Sequence, residues 1–169
     1  MAQLHGAAMD QFGKMRNLMP HVRVAAKAIV MRDGRLLVTR NVNDTGSFFL
    51  LPGGGQEHGE SLPVALRREF MEEVGVPVDV HDLVLVRDYI AHNHEFARDS
   101  DVHQLELFFR CTLQVDTLPS NGPHPDIWQT GVEWLDLTGP DAARLYPFVL
   151  QSWLLETDTH RPIYIGDVT

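Results

Sequence analysis

Five glutamates, Glu57, Glu60, Glu69, Glu72 and Glu73, fall within GGGQEHGESLPVALRREFMEEVGV, which runs from Gly53 to Val76. Glu69, Glu72 and Glu73 lie in a helical stretch at spacings of three and four, so their carboxylates share one face and can converge. Like pairs at that spacing cost roughly a few tenths of a kcal/mol each, and Arg67-Arg68 relieves only part of the repulsion. Two arrangements would tolerate it. One is a solvated face held by Arg–Glu pairs. The other is a site for a hard divalent cation such as Mg²⁺ or Mn²⁺, which prefers carboxylate oxygen. The three glycines at 53 to 55 would let backbone approach a metal or a phosphate without a Cβ in the way.

The elements that must position these groups are readable on either side. Val22 to Met31 is β-rich and meets Asp33-Gly34, a strong hairpin signal, so Arg35 to Arg40 is the return strand. Asn41 to Ser47 is polar and reads as a loop before a strand at Phe48 to Leu51. For the helix Leu62 to Val74, Ser61 is the expected N-cap, Pro63 sits harmlessly in the first turn, and Leu66 and Phe70 offer an apolar face. Gly75 takes the left-handed position after the end. Strands are expected at Val78 to Val86, around Tyr89, at Gln104 to Val115 and at Val132 to Leu137. A last helix from Asp141 to Leu155 would be kinked or divided at Pro147. Several strands, one helix, several strands and one helix predict a mixed sheet with helices packed on it.

The chain of 169 residues fits one domain, with residues 21–169 forming it and 1–20 an N-terminal extension. Its net charge of −9 argues against a nucleic-acid polymer as partner. No apolar run approaches the ~18 residues of a membrane span, and the first twenty residues do not read as a signal peptide. Cys111 is the sole cysteine, in a strand-like setting that reads as a buried structural thiol. A reducing, cytoplasmic location is therefore the expectation.

The spacing of the glutamates within the wider stretch is more specific than their clustering. Gly54, Glu60, Arg68-Glu69, apolar Phe70, Glu72-Glu73, Gly75 and apolar Val76 fill nine set positions over 23 residues. This resembles the Nudix box, and the surrounding strand order resembles the Nudix α/β/α sandwich, an α/β (α+β) fold with a mixed central sheet. The resemblance implies a loop–helix–loop that binds Mg²⁺, with Mn²⁺ as the alternative, and hydrolyses a nucleoside diphosphate linked to another group. It implies that Glu69, Glu72, Glu73 and the carbonyl of Gly53 are metal ligands. Arg68 would orient the carboxylates with Glu60 as its partner. The family often dimerises, so a homodimer is allowed.

The general base is left open among Glu69 within the box, Asp126 shortly before a later strand, and Glu106 on a strand that could face the site. The plainer readings are a surface acid for Asp126 and a cross-sheet salt bridge for Glu106. Gly54 and Glu106 are candidates for substrate contact, as is Arg40, the favoured phosphate contact among Arg23, Lys27 and Arg40. Phe48, Phe49, Tyr89, Phe96 and Trp128 are candidates for stacking a base. His92, His94 and His103 could bind zinc or phosphate, or be ordinary loop residues. Ala91 and His92 stand where the ADP-ribose branch tends to carry a proline, and Asn93 where the dinucleoside polyphosphate branch carries a tyrosine. The expected activity is a Mg²⁺-dependent pyrophosphohydrolase cleaving a P–O–P bridge in a small nucleoside di- or triphosphate derivative. An ADP-ribose or nucleotide-sugar pyrophosphatase and a non-catalytic nucleotide-sensing module are the alternatives.

Overall fold

Strand β1 (Val22–Arg32) turns at Asp33-Gly34 into β2 (Arg35–Asn43). Both turn residues have positive φ, 50° and 74°, the left-handed pair that a tight two-residue hairpin requires. The structure, a computed structural model, describes residues 21–94, 102–114, 117–157 and 160–169. The expected extension at 1–20 and the stacking candidate Phe96 lie outside them. After β2 come β3 (Gly46–Leu50), α1 (Leu62–Val74), β4 (Val78–Ile90), β5 (His103–Leu113), β6 (Gln129–Asp136), α2 (Val149–Leu155) and β7 (Tyr164–Asp167). The sheet runs β3-β2-β1-β5-β4-β7, with β6 also paired to β2. The β1–β5 and β4–β7 pairs are parallel and the others antiparallel, so the sheet is mixed.

β1 and β2 pair only next to their turn, at Met31↔Leu36 and Arg32↔Arg35. Beyond that point the strands diverge, and residues 52–56 occupy the edge that β1 presents. Ala28 N–H donates to Pro52 O (2.8 Å), Ala26 N–H to Gly54 O (3.0 Å), and Gln56 N–H to Val24 O (2.8 Å). The glycine-rich loop is thus held by the sheet's own donors and acceptors, which would otherwise be orphaned.

Alternation along the strands divides the core in two. Ala26, Ala28 and Val30 of β1 pack with Phe109 and Cys111 against Leu66, Phe70 and Val74 of α1. Ile29, Phe108, Leu85 and residues of β2 and β3 pack on the opposite face with Leu150 of α2. Each fully buried Leu or Phe contributes roughly 1.5–3 kcal/mol. That gives the layered α+β architecture.

Several local expectations are corrected. Asn41 to Ser47 is not a loop, because β2 continues to Asn43 and β3 starts at Gly46. Asn41 is buried yet satisfied, donating to Thr39 O (3.1 Å) and Thr39 Oγ1 (3.0 Å). Ser61 occupies the N-cap position, but its side chain makes no capping bond. The last helix is divided around Pro147 as expected, but its first part is a 3₁₀ turn at Pro140–Arg144 rather than α-helix, and its second is the short α2. The two extended pieces after α1 are one strand, β4, with irregular pairing between Val80 and Leu85. β7 was not expected at all.

Candidate active site

Three buried residues four apart, Leu66, Phe70 and Val74, fix the rotation of α1, and Glu73 falls on the same buried stripe. Its side chain is therefore carried inward, where its carboxylate accepts the N–H of Gly53 (2.8 Å). Burial pushes its pKa up to about 8. The Lys27 ammonium and the Gly53 N–H pull it back, while Asp126 and Glu69 add repulsion. Gly53 is pinned from the other side, since Lys27 Nζ donates to its carbonyl. At φ 121° a Cβ on Gly53 would come within 2.2 Å of Ala26 O and 2.8 Å of Leu66 Cδ1. Only glycine fits there.

Arg68 gathers the remaining acids. Its guanidinium donates to Glu60 at 2.7 and 3.3 Å, to Glu69 at 2.9 Å, to Glu72 at 3.4 Å and to the carbonyl of Gly55 at 3.0 Å. The hydrogen bond to Glu60 is the main cause that raises the arginine's own pKa. In return, Arg68 and the Glu57 N–H hold Glu60 below the usual carboxylate range. Arg67, the other member of the basic pair, donates to Pro63 O within its own helix. A Cβ on Gly54 would lie 2.6 Å from the Glu69 carboxyl, so that side chain lies directly over the loop.

Helix spacing puts Glu69, Glu72 and Glu73 on neighbouring positions, but the carboxyl groups part. Two turn to Arg68 and one turns to Gly53 and Lys27. Among the described residues no three His, Cys, Asp or Glu side chains are gathered as around an ion. The donor set nonetheless fits a hard divalent cation. It consists of carboxylate and carbonyl oxygen, with one carboxylate buried and its charge incompletely balanced.

Beside the loop lies a cavity of about 280 Å³. Its floor is the sheet face opposite α1, where the register sets three rows side by side: Arg23–Gln104–Tyr89, Ala25–Glu106–Arg87 and Lys27–Phe108–Leu85. Phe48, Trp128 and Tyr146 line it as well, with Phe48 edge-on to both other rings. Arg23 and Lys27 stand between this cavity and the glycine loop. Arg23 Nη2 lies 2.8 Å from where a Gly55 Cβ would be.

The structure brings together Gly53, Gly54, Glu60, Arg68, Glu69, Glu72 and Glu73, with Asp126 close enough to repel Glu73. Glu106 faces the cavity but is buried in a cross-strand pair with Arg87 (2.6 Å) and accepts from Gln104 (3.0 Å). That is the salt bridge given as its plainer reading. Arg40 stands apart from the cavity, its half-exposed guanidinium 3.6 Å from Glu133. Phe48, Tyr89 and Trp128 line the cavity, whereas Phe49 belongs to the core. The histidines separate, His94 to Asp167 and His103 to Asp88, and His92 is exposed. Cys111 is buried and its thiol is pushed up to about 12 by burial.

Sequence reasoning missed Arg87, Gln104, Gln129 and Tyr146. Gln129 Nε2 donates to Glu73 O (2.7 Å) and Asn121 Oδ1 (3.2 Å), tying β6 to the end of α1. The period-two spacing of Gln104, Glu106 and Phe108 was the available signal for one shared face.

A mixed sheet whose edge holds a glycine loop and a glutamate-bearing helix defines a recognised class. A model of the NUDIX domain matches residues 19–150, and the chain belongs to that family. Nudix hydrolases in general use divalent cations. Among relatives, "nucleoside diphosphate-linked moiety X motif 6" of Xenopus laevis is 28% identical over 116 residues, covering 69% of this chain and 50% of that protein. "Nucleoside triphosphatase NudI" of Salmonella heidelberg (strain SL476) is 33% identical over 89 residues, covering 49% and 63%. The chain thus spans about half to two thirds of the length of these relatives. A NUDIX hydrolase structure from Nitrosomonas europaea superposes with a TM-score of 0.65 at 17% identity, covering 96% of this chain and 86% of that one, which shows the shared fold. No helix among the described residues is long and apolar enough to cross a membrane.

Proposed function

We propose that this chain is a pyrophosphohydrolase dependent on Mg²⁺, or Mn²⁺, that cleaves a P–O–P bridge in a small nucleoside di- or triphosphate derivative by water attack. The observation that carries the reading is the buried Glu73 carboxylate at Gly53, on a loop that also borders a cavity lined by Arg23, Lys27, Arg87 and an aromatic wall. Glu69, Glu72, Glu73 and Gly53 O would hold the ion. Once bound, a divalent cation neutralises phosphate oxygens and lowers the pKa of a coordinated water. Arg68 keeps Glu69 and Glu72 in place. Arg23 and Lys27 would take phosphate oxygens on the cavity side, and Phe48, Trp128 and Tyr146 would cover a planar base.

For the base, Glu69 and Asp126 remain in play, because both lie near Glu73. Glu106, engaged by Arg87 and Gln104, suits substrate contact better than proton abstraction. The buried lone thiol fits a reducing, cytoplasmic setting.

The test is a panel of nucleoside di- and triphosphates, nucleotide sugars and ADP-ribose with Mg²⁺ or Mn²⁺, scored for phosphate, pyrophosphate and mononucleotide release. Turnover of at least one compound that disappears in Glu73→Gln is the expected result. Tight nucleotide binding with no turnover of any compound would replace this reading with a sensing module.

A further inference from the structure

The segment Ile163–Thr169 does more than add a strand to the sheet edge: Thr169 O holds α2 through the Val149 N–H (2.9 Å), and the contacts of Asp167 and Val168 lead to the cavity floor. Ile163 O accepts from Val86 N–H (2.7 Å) and Tyr164 Oη donates to Asp88 (2.5 Å), which registers β7 on β4. Asp167 then accepts from the Ile90 N–H (3.2 Å), from Asn93 Nδ2 (2.7 Å) and from His94 Nε2. The buried His94 ring is stacked on Tyr89 at 5.5 Å and 15°. Val168 O accepts from Arg87 Nη1. Arg87 Nε bonds Glu106, which accepts from Gln104.

Tyr89, Arg87, Glu106 and Gln104 all line the cavity, whereas Asp167 and Val168 do not. A guanidinium is a planar fork, so acceptors at two of its nitrogens fix its orientation more fully than one does, and the Arg87 guanidinium lies 5.3 Å from the centre of the Tyr89 ring. Glu106 supplies one and the tail carbonyl the other. Without the tail, Arg87 could pivot about its bond to Glu106, and the carboxylate could turn with it.

We infer that β7, through Asp167 and Val168, is a positioning strut that sets the Arg87–Glu106 pair and the Tyr89 ring for contact with the nucleoside part of the substrate. This rests on the nucleotide-binding role proposed for the cavity. Asp167 is a positioning residue here: it does not line the cavity, and it stands on β7, the strand next to β4 at the end of the sheet.

The experiment is a double-mutant cycle with D167N and E106Q, using the nucleotide that the panel shows to be hydrolysed best. D167N should raise KM by about tenfold while kcat stays within about twofold, the signature of lost uniform binding. E106Q should raise KM as well. The double variant should raise it by clearly less than the product of the two, because D167N loosens the strand that brings Val168 O to Arg87 and E106Q removes the other acceptor of the same guanidinium. Independent multiplication, or a D167N effect on kcat alone, would overturn the strut. Should D167N fail to fold by circular dichroism, Y164F, an exposed change at the same strand, should raise KM by about two- to threefold with kcat unchanged; an unchanged KM there also overturns it. If the wild-type chain hydrolyses nothing, the proposed function fails on its own. The strut is then decided by amide hydrogen exchange at residues 103–107, faster in D167N or Y164F if it exists and unchanged if it does not.

Discussion

Replacing Glu73 with glutamine should make the metal-free protein more stable while abolishing its activity. In the folded chain, burial raises the Glu73 pKa from 4.5 to about 8. The native state therefore keeps a proton that the unfolded chain releases. The sign follows from linkage: stability is fully present below pH 4.5 and is lost as pH rises through 8. At about 1.4 kcal/mol per pH unit, the interval corresponds to a ceiling of roughly 5 kcal/mol. Glutamine is neutral and of the same shape, so its variant should lack this slope. The assay is urea unfolding at steps from pH 5 to 8.5, with a chelator and again with millimolar Mg²⁺. Without metal, the wild-type chain should lose a few kcal/mol across that range relative to Glu73→Gln. Mg²⁺ should restore much of it to the wild type alone, because an ion bound only by the native state stabilises by mass action. Parallel curves for the two proteins in chelator would refute the reasoning, since they would mean that the carboxylate is ionised at no cost.

Arg68→Gln should weaken divalent-cation affinity by about 10–100-fold, measured by calorimetry, because the side chain that orients Glu69 and Glu72 is gone. Asp126→Asn and Glu69→Gln should separate the base from the ligands: the variant that loses about 10²–10⁴ in kcat with metal affinity intact marks the base. Trp128→Ala should raise KM by roughly 5–150-fold, the worth of about 1–3 kcal/mol of stacking on a base, with kcat little changed. Cys111, its thiol pushed up to about 12, should resist iodoacetamide at pH 8 in the native chain and react once urea unfolds it.

The parts of this molecule legible in the sequence are those whose signals are local. Pro63 near the start, Gly75 at the end with φ 73°, and the Leu66–Phe70–Val74 stripe define α1 without reference to anything distant. That Glu73 falls on the same buried stripe is seen only in the structure, since grouping it with Glu69 and Glu72 on one converging face hid it. The Asp33-Gly34 hairpin was equally self-contained. What failed depends on pairing between distant segments. Arg23 and Lys27 reach the site and Arg40 does not because of where β1 and β2 part, which no window around any of them reveals. Asn41 looked like loop because polarity was taken for exposure, yet Thr39 satisfies it inside the sheet. β7 has four residues and owes its existence to β4. Glu106 was placed on a strand that could face the site or form a cross-sheet salt bridge, but its partner Arg87 lies on another strand, nineteen residues away.

The segment before β6 closes off the far end of α1. Ser120, Gly122 and His124 give their N–H groups to the carbonyls of Val74, Glu73 and Glu72, at 3.1, 3.0 and 3.0 Å, answering acceptors that a helix leaves bare at its terminus. Two residues later comes Asp126. The spacing between one candidate base and the glutamates is thus ruled by backbone, like teeth on a zip: exchanges at Ser120 or His124 should leave it alone, whereas any side chain at Gly122 would force it apart, since a Cβ there would lie 2.2 Å from Glu72 O. Inserting a single residue between His124 and Asp126 should shift the acid out of reach while the helix stays intact.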